Sequence, residues 1–363
     1  MAKRVVICGG GAIGAAIAYF LARRGAKPIV VERHEVAGSA SGKSGGFLAL
    51  DWCRGTALDR LARRSFMLHA ELAETLGNPW GYRRLTTYAG SAIENETADG
   101  PRRAWLSDAV EITGQIGSPQ TTAIVEPRAF TQGLVRAAEA LGAELRHGTV
   151  VDLVRPEGGV VLENGERIEG DAVVIAMGPW SILATRWLPL PAVYGYKGHS
   201  LVFRTGDLPA EALFLEYQEA AGEVLTPEIF ARADGTVWAC AISSASALPV
   251  DPAQVAADDG AHARLEALCR AVSPVLAAAP IVAWQACFRP VTEDSLPLMG
   301  AVPGVDGAYV ASGHNVWGIL NAPASGEAMA ELILDGKASH VDLRPFSPRR
   351  LQTFDSARLR AAN

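Results

Sequence analysis

The sequence has no run of basic residues, no apolar stretch near the ~20 residues of a membrane span, and no cysteines at CxxC or metal-ligand spacing. Lysine and arginine number 33 against 39 acidic residues, and the net charge of −6 is spread along the chain, so the electrostatic footprint of a nucleic-acid binder is missing. Nucleic acid is therefore not an expected partner. The five cysteines (Cys8, Cys53, Cys240, Cys269 and Cys287) are scattered and odd in number. They suggest neither a disulfide framework nor a metal site, and they fit a reducing, cytoplasmic compartment. The first apolar run, residues 5–8, meets glycines at once and leaves no room for a signal peptide, so the mature chain is expected to begin at Met1 or Ala2. Internal repeats and low-complexity segments are also missing.

What is present is the make-up of a turn-rich α/β protein: 49% apolar and 20% charged residues, with 37 glycines and 21 prolines. A length of 363 residues suits two joined domains. Residues 4–33 read as one βαβ unit, with a buried strand at 5–8, a glycine-rich turn, an alanine-rich helix to Arg24, and a second strand at 28–32. Small residues dominate 37–47, which is loop chemistry, and helical spacing returns over 56–76. Further along, strands are expected at 83–91 and 143–154, a helix at 126–141, and a hairpin at Asn164-Gly165. A buried parallel strand is expected at 171–176. Strands at 200–204 and 236–242 and a helix at about 258–272 suggest a more antiparallel second domain. A strand at 307–311 and a helix at about 322–334 return to α/β character.

Gly9-Gly10-Gly11-Ala12-Ile13-Gly14 satisfies GxGxxG directly after a strand and at the opening of a helix, and Glu32 ends the next strand. Gly9 allows the tight turn, Gly11 lets backbone approach a pyrophosphate, and Gly14 lets helix and strand pack closely. The helix N-terminus offers amide donors and positive dipole to phosphates, while Glu32 can accept from ribose hydroxyls. A carboxylate there disfavours NADP, leaving FAD or NAD.

The remaining segments resemble the glycine oxidase, sarcosine oxidase and D-amino-acid oxidase superfamily of flavoproteins over nearly the whole length. The resemblance rests on GSASGKSGGF, VEPRAFTQGLVRAAEALGAEL, DAVVIAMGPWS, QACFRPVTEDSLPLMGAVPGVDGAYVASGH and GHNVWGILNAPASGEAMAELIL. Within it, the SGKSGGFLALDW loop, QACF and the GHNVWGILNAP turn look similar to the Tda3-like branch. The resemblance implies FAD in a glutathione-reductase-like, p-hydroxybenzoate-hydroxylase-like architecture. In this arrangement a Rossmann-type domain (1–50, 120–188 and 290–345) is joined to a mixed, largely antiparallel substrate domain (51–119 and 189–289), with a tail at 346–363.

It further implies cofactor contacts at Gly9, Gly11, Ala12, Ile13, Gly14, Glu32, Arg33 and Ser39, and along the loop Ser41, Lys43, Ser44, Gly45 and Gly46. The adenine end falls to Val151 beside Val150, and the covering loop to Gly178 and Trp180. The turn Gly313, His314, Trp317, Gly318, Ile319 and Leu320 faces the flavin. Cys287 matches a cysteine that in sarcosine-oxidase-like members bonds the flavin 8α-methyl, whereas glycine-oxidase-like members bind FAD non-covalently, and both alternatives stay open.

Arg289 matches the arginine that clamps a substrate carboxylate, with Tyr196 and His199 as orienting candidates and Phe47 and Trp52 as candidates for an aromatic lid. Two departures from the sarcosine branch concern oxygen. The loop arginines are replaced by Gly45 and Leu48, and no lysine follows Asp234-Gly235, which leaves Lys197 as a substitute. The implied reaction is hydride transfer from a carbon bearing a neutral amine nitrogen, or another heteroatom, to flavin N5, giving an imine-like product that water can hydrolyse, with oxygen or another acceptor taking the electrons. The competing readings are an acceptor-linked dehydrogenase, a flavoprotein with a sorting or regulatory role, and an NAD-dependent dehydrogenase. The last of these gives GSASGKSGGF no purpose.

Overall fold

Two large sheets carry the chain in the computed structural model, which describes residues 2–98, 103–155 and 158–359. Met1 and the last four residues of the expected tail lie outside the described residues. The first sheet has six strands in the order Leu298–Ala301, Ala308–Ser312, Ala172–Ile175, Arg4–Cys8, Lys27–Glu32 and Glu144–His147. All neighbours are parallel except the edge strand Leu298–Ala301. Val5, Val6, Ile7 and Cys8 are buried without alternation, because helices cover one face and a three-stranded sheet with its flanking loop covers the other.

Helix Ala12–Arg23 packs between helices Gly318–Asp335 and Pro127–Ala140. The latter starts on Pro127, with the Glu126 carboxylate accepting from the amides of Arg128 and Ala129 as its cap. Helix Asp59–Thr75, within the stretch 51–119, packs on Gly318–Asp335 and shares this same core.

The second sheet runs Ile281–Val291, Tyr194–Arg204, Thr236–Ser244, Glu228–Ala231, Glu211–Gln218, Thr86–Ile93 and Val110–Gly117, antiparallel except where Glu211–Gln218 meets Thr86–Ile93. Side chains alternate across it with the period of two that a pleated strand imposes. Leu201, Phe203, Ile229, Val237 and Ala239 face helix Ala261–Val272, while Val202, Phe230 and Trp238 face the other way.

Several elements depart from what the sequence suggests. The strand expected over 143–154 is two: Glu144–His147 joins the first sheet, and after Gly148 the chain turns so that Val150–Leu153 pairs with Gly159–Leu162. The strand expected over 83–91 breaks at Leu85, which is fully buried and whose amide bonds the Thr122 carbonyl. Arg83–Arg84 thus joins a small sheet with Thr122–Ile124 and Phe47–Ala49, and Thr86–Ile93 enters the large one. The last long helix begins at Gly318, four residues before the expected 322, and the glycine-rich loop contains a short helix Ala40–Lys43. No helix among the described residues is long and apolar enough to cross a membrane.

Candidate active site

The C-terminal ends of the first sheet and the free face of the second enclose a cavity of about 660 Å³, within the roughly 300–1,000 Å³ usual for cofactor and ligand sites. At the Rossmann end, Gly9, Gly11, Ala12, Ile13, Glu32, Arg33 and Ser39 line it. Gly14 does not, and its role is steric: a Cβ there would stand 2.0 Å from the Gly9 carbonyl oxygen, so helix and strand meet this closely only through glycine. Glu32 accepts from the Gly10 amide at 2.6 Å and from the His34 amide at 3.0 Å, so its carboxylate is held in place by backbone. Ser41 Oγ accepts from the Ala12 amide at 2.9 Å and thereby ties the following loop to the helix start.

That loop runs across the cavity. Ser41, Lys43, Ser44 and Gly45 line it, whereas Gly46 is turned against the Val125 carbonyl. The loop is held from the second sheet. Trp238 Nε1 and Ser200 Oγ donate to the Lys43 carbonyl at 3.0 and 3.3 Å, and the Arg232 guanidinium donates to the carbonyls of Ser44 at 2.7 Å and Gly45 at 3.2 Å. A Cβ at Gly45 would stand 2.6 Å from the Phe230 ring, so the loop and the sheet touch directly. Arg232 is buried and has Glu126 at 3.8 Å. The sequence singled out neither Arg232 nor Trp238, because nothing local marks a residue whose partner is reached only through the fold.

Val150 lines the cavity with Gly148 and Thr149, whereas Val151 points away and is exposed. Gly178 and Trp180 line it, with Trp180 Nε1 donating to the Pro249 carbonyl at 2.8 Å. From the C-terminal turn, Gly313, His314, Gly318 and Ile319 line it, while Trp317 and Leu320 do not. The first turn of helix Gly318–Asp335 therefore presents its amides and positive dipole end to the cavity. His69, unmarked by any motif, donates from Nε2 to the Ile319 and Leu320 carbonyls at 2.9 and 3.2 Å and anchors that turn. Burial lowers the pKa of His69 to about 4 and that of His314 to about 3, so both are neutral.

On the second sheet Cys287 and Arg289 line the cavity. Burial pushes the Cys287 thiol up, with Lys43 and Arg289 opposing. Arg289 donates to Ser243 Oγ at 2.6 Å and lies 5.3 Å from the centre of the Tyr196 ring, leaving other guanidinium donors free; Tyr196 itself is outside the lining. His199 lines the cavity, but backbone occupies both nitrogens. Nδ1 meets the Ile242 carbonyl at 3.2 Å, and Nε2 accepts from the Asp258 amide at 3.0 Å. Lys197 stands outside, its ammonium 2.6 Å from Asp258. Phe47 and Trp52 are not in the lining either, since they pack with Phe214 and Phe230 in an aromatic cluster behind the loop. Residues that no motif marked also line the cavity: Thr226, Glu228, Cys240 and Ser243. Cys240 lies in the strand expected at 236–242, whereas the strand that carries Glu228, Glu228–Ala231, is not among those expected.

The residues present fit FAD. A glycine turn and helix start face one end, and a second helix N-terminus faces the other. Two cavity-lining polar atoms, Ser44 Oγ and His314 Nδ1, are buried without a partner, as atoms bordering a polar cofactor would be. No cluster of metal-ligating side chains is found among the described residues.

Residues 4–332 match the family model described as FAD dependent oxidoreductase. A putative oxidoreductase of Schizosaccharomyces pombe is 27% identical, covering 95% of this chain and 98% of its own. The putative oxidoreductase TDA3 of Saccharomyces cerevisiae is 24% identical over 96% of this chain and 94% of its own. Among solved structures, glycine oxidase from Geobacillus kaustophilus superimposes with a TM-score of 0.79 at 26% identity, covering 96% of this chain and 99% of that one.

Proposed function

The chain belongs to the DAO family of FAD-dependent oxidoreductases, and from that premise we propose that it oxidises the C–N bond of a carboxylate-bearing amine or amino acid. The observation that carries this reading is Arg289. Its guanidinium opens onto the cavity from the second sheet, braced by Ser243 and the Tyr196 ring, with donors left for a bidentate grip on a carboxylate. When bound, FAD supplies the two-electron acceptor for the hydrogen on the carbon next to nitrogen.

The chain's own residues do the rest. Arg289 fixes the carboxylate and so the face of the substrate turned to the cofactor. The loop 41–45, clamped by Arg232 and Trp238, sets the distance between cofactor and substrate sheet. The first-turn amides of helix Gly318–Asp335 stabilise negative charge where electrons arrive. The aromatic cluster of Phe47, Trp52, Phe214 and Phe230 backs the loop with apolar surface and keeps water from that side. The imine formed can hydrolyse in water, and oxygen or another acceptor completes the cycle. A cytoplasmic setting is part of the same reading, from the five scattered cysteines, all free.

The test is anaerobic addition of a panel of amino acids and amines while following the yellow absorbance of the holoenzyme. Bleaching by a carboxylate-bearing amine, lost by roughly a hundredfold in kcat/KM in Arg289→Met, is the expected result. Bleaching only by amines without a carboxylate, indifferent to Arg289→Met, would refute it.

A further inference from the structure

We propose that Glu228 is a specificity-determining residue that meets the substrate's protonated nitrogen and takes up its proton before the neighbouring carbon gives up its hydrogen, so that the molecule accepted is dipolar, with its carboxylate on Arg289 and its cation on Glu228. This rests on the reading of Arg289 given above.

The sheet register puts the two groups on one surface. Glu228 pairs across the strands with Cys240, Cys240 with Ser200, and Ser200 with Gln285, forming one row on the face that carries Phe230 and Trp238. Cys287 and Arg289 follow Gln285 at every second position of the same strand, and so lie on that face too. Glu228, Cys240, Cys287 and Arg289 all line the cavity.

Glu228 has no cation of its own. Its recorded contact is with Cys240, whose thiol lies 3.9 Å from the carboxylate, and no ion pair among the described residues includes it. Arg289 acts on it through space, but that guanidinium is turned to Ser243 and the Tyr196 ring. Withdrawal from solvent raises the carboxyl's pKa, with Arg289 and the Cys240 thiol opposing. A half-buried carboxyl without a close cation is destabilising until a positive group is supplied. Its alternating neighbour Phe230 shows that this face accepts apolar side chains. A carboxyl kept here and opened to the cavity is compensated when a positive group enters. A simple carboxylate would meet Arg289 but bring negative charge toward Glu228, and a simple amine would leave Arg289 empty. A zwitterion satisfies both.

The experiment compares matched pairs on the holoenzyme, glycine against acetate and 4-aminobutyrate against butyrate. Binding is read by perturbation of the flavin spectrum and by ligand-induced shift of the melting temperature. The wild type is expected to prefer at least one zwitterion over its matched carboxylate by roughly tenfold or more, the scale of a hydrogen bond to a charged group. Glu228→Gln, nearly isosteric, is expected to abolish or invert that preference while still gripping the carboxylate. A wild type that binds acetate and butyrate as well as their amino counterparts overturns the proposal, whether or not the variant folds. So does an undiminished preference in a folded, yellow Glu228→Gln protein. If no member of the panel perturbs the wild type, the carboxylate-bearing amine reading fails together with this one, whereas an intact carboxylate grip with no zwitterion preference sinks Glu228 alone.

Discussion

Lowering the pH should destabilise the fold through a residue outside the cavity, His69. Its Nε2–H is committed to the Ile319 and Leu320 carbonyls, and Nδ1 is buried with no partner, so a second proton has nowhere to be solvated. Burial therefore lowers the pKa from the usual 6.5 to about 4. For a base with a depressed folded value, the stability is fully present above 6.5 and is lost as pH falls toward 4, because the unfolded chain binds the proton first. At about pH 5 the unfolded imidazole is almost wholly charged and the folded one mostly neutral, so linkage costs about 2 kcal/mol relative to about pH 8. With an unfolding entropy near 2.1 cal/mol/K per residue over 363 residues, this is a loss of roughly 2–3 °C in melting temperature. The assay is the difference in melting temperature between about pH 8 and about pH 5, measured for wild type and for His69→Gln, which keeps an N–H donor but does not titrate. Other titrating groups contribute equally to both proteins and cancel. The gap should be smaller by roughly 2–3 °C in the variant. An identical gap in the two proteins would refute the assignment of His69 as a buried neutral base.

Arg232→Met should release the loop carbonyls of Ser44 and Gly45 and cost roughly 3–5 kcal/mol, the scale for breaking a buried charged contact. Weaker FAD retention on dialysis would accompany it, and a variant that melts and holds FAD like wild type would contradict the clamp. The cofactor is expected to be non-covalent, since the Cys287 thiol is pushed up and away from the reactive thiolate. Acid precipitation should leave the yellow colour in the supernatant, and a yellow pellet that turns white in Cys287→Ala would reverse this. Because Lys197 is bound to Asp258 outside the cavity, Lys197→Met should change peroxide formed per substrate oxidised by no more than roughly twofold, and a tenfold fall would give the lysine a role in oxygen reduction.

Those parts of the fold were legible whose signals are local. The run Val5 to Cys8, the glycine turn and Glu32 declare a βαβ unit because each is fixed by neighbours within a few residues. Gly148 and Leu85 were opaque for the opposite reason. Whether a strand continues or changes sheets there depends on partners such as Leu162 and Thr122. The site divides the same way. The motif carried Gly9, Gly11 and Glu32 to the cavity, and the family likeness brought Cys287 and Arg289. Lys197, by contrast, was weighed without knowing that Asp258 would claim it, and His199 without knowing that backbone would take both nitrogens. Glu228 gave no sign, since its four-residue strand was too short to mark and a lone glutamate reads as solvent-facing until the face it sits on proves to be a cavity.

The loop from Ser41 to Gly45 draws its hydrogen-bond donors from two directions, accepting from Trp238, Ser200 and Arg232 on one side while its serine grips the start of the first helix on the other. Any coupling that this loop carries between the two ends of the cavity must be reciprocal. If a molecule seated against Arg289 steadies that sheet and tightens the hold on FAD by some factor, FAD must tighten the hold on that molecule by the same factor. With such coupling, apoprotein and holoprotein would differ in their affinity for substrate analogues even where the cofactor touches none of them.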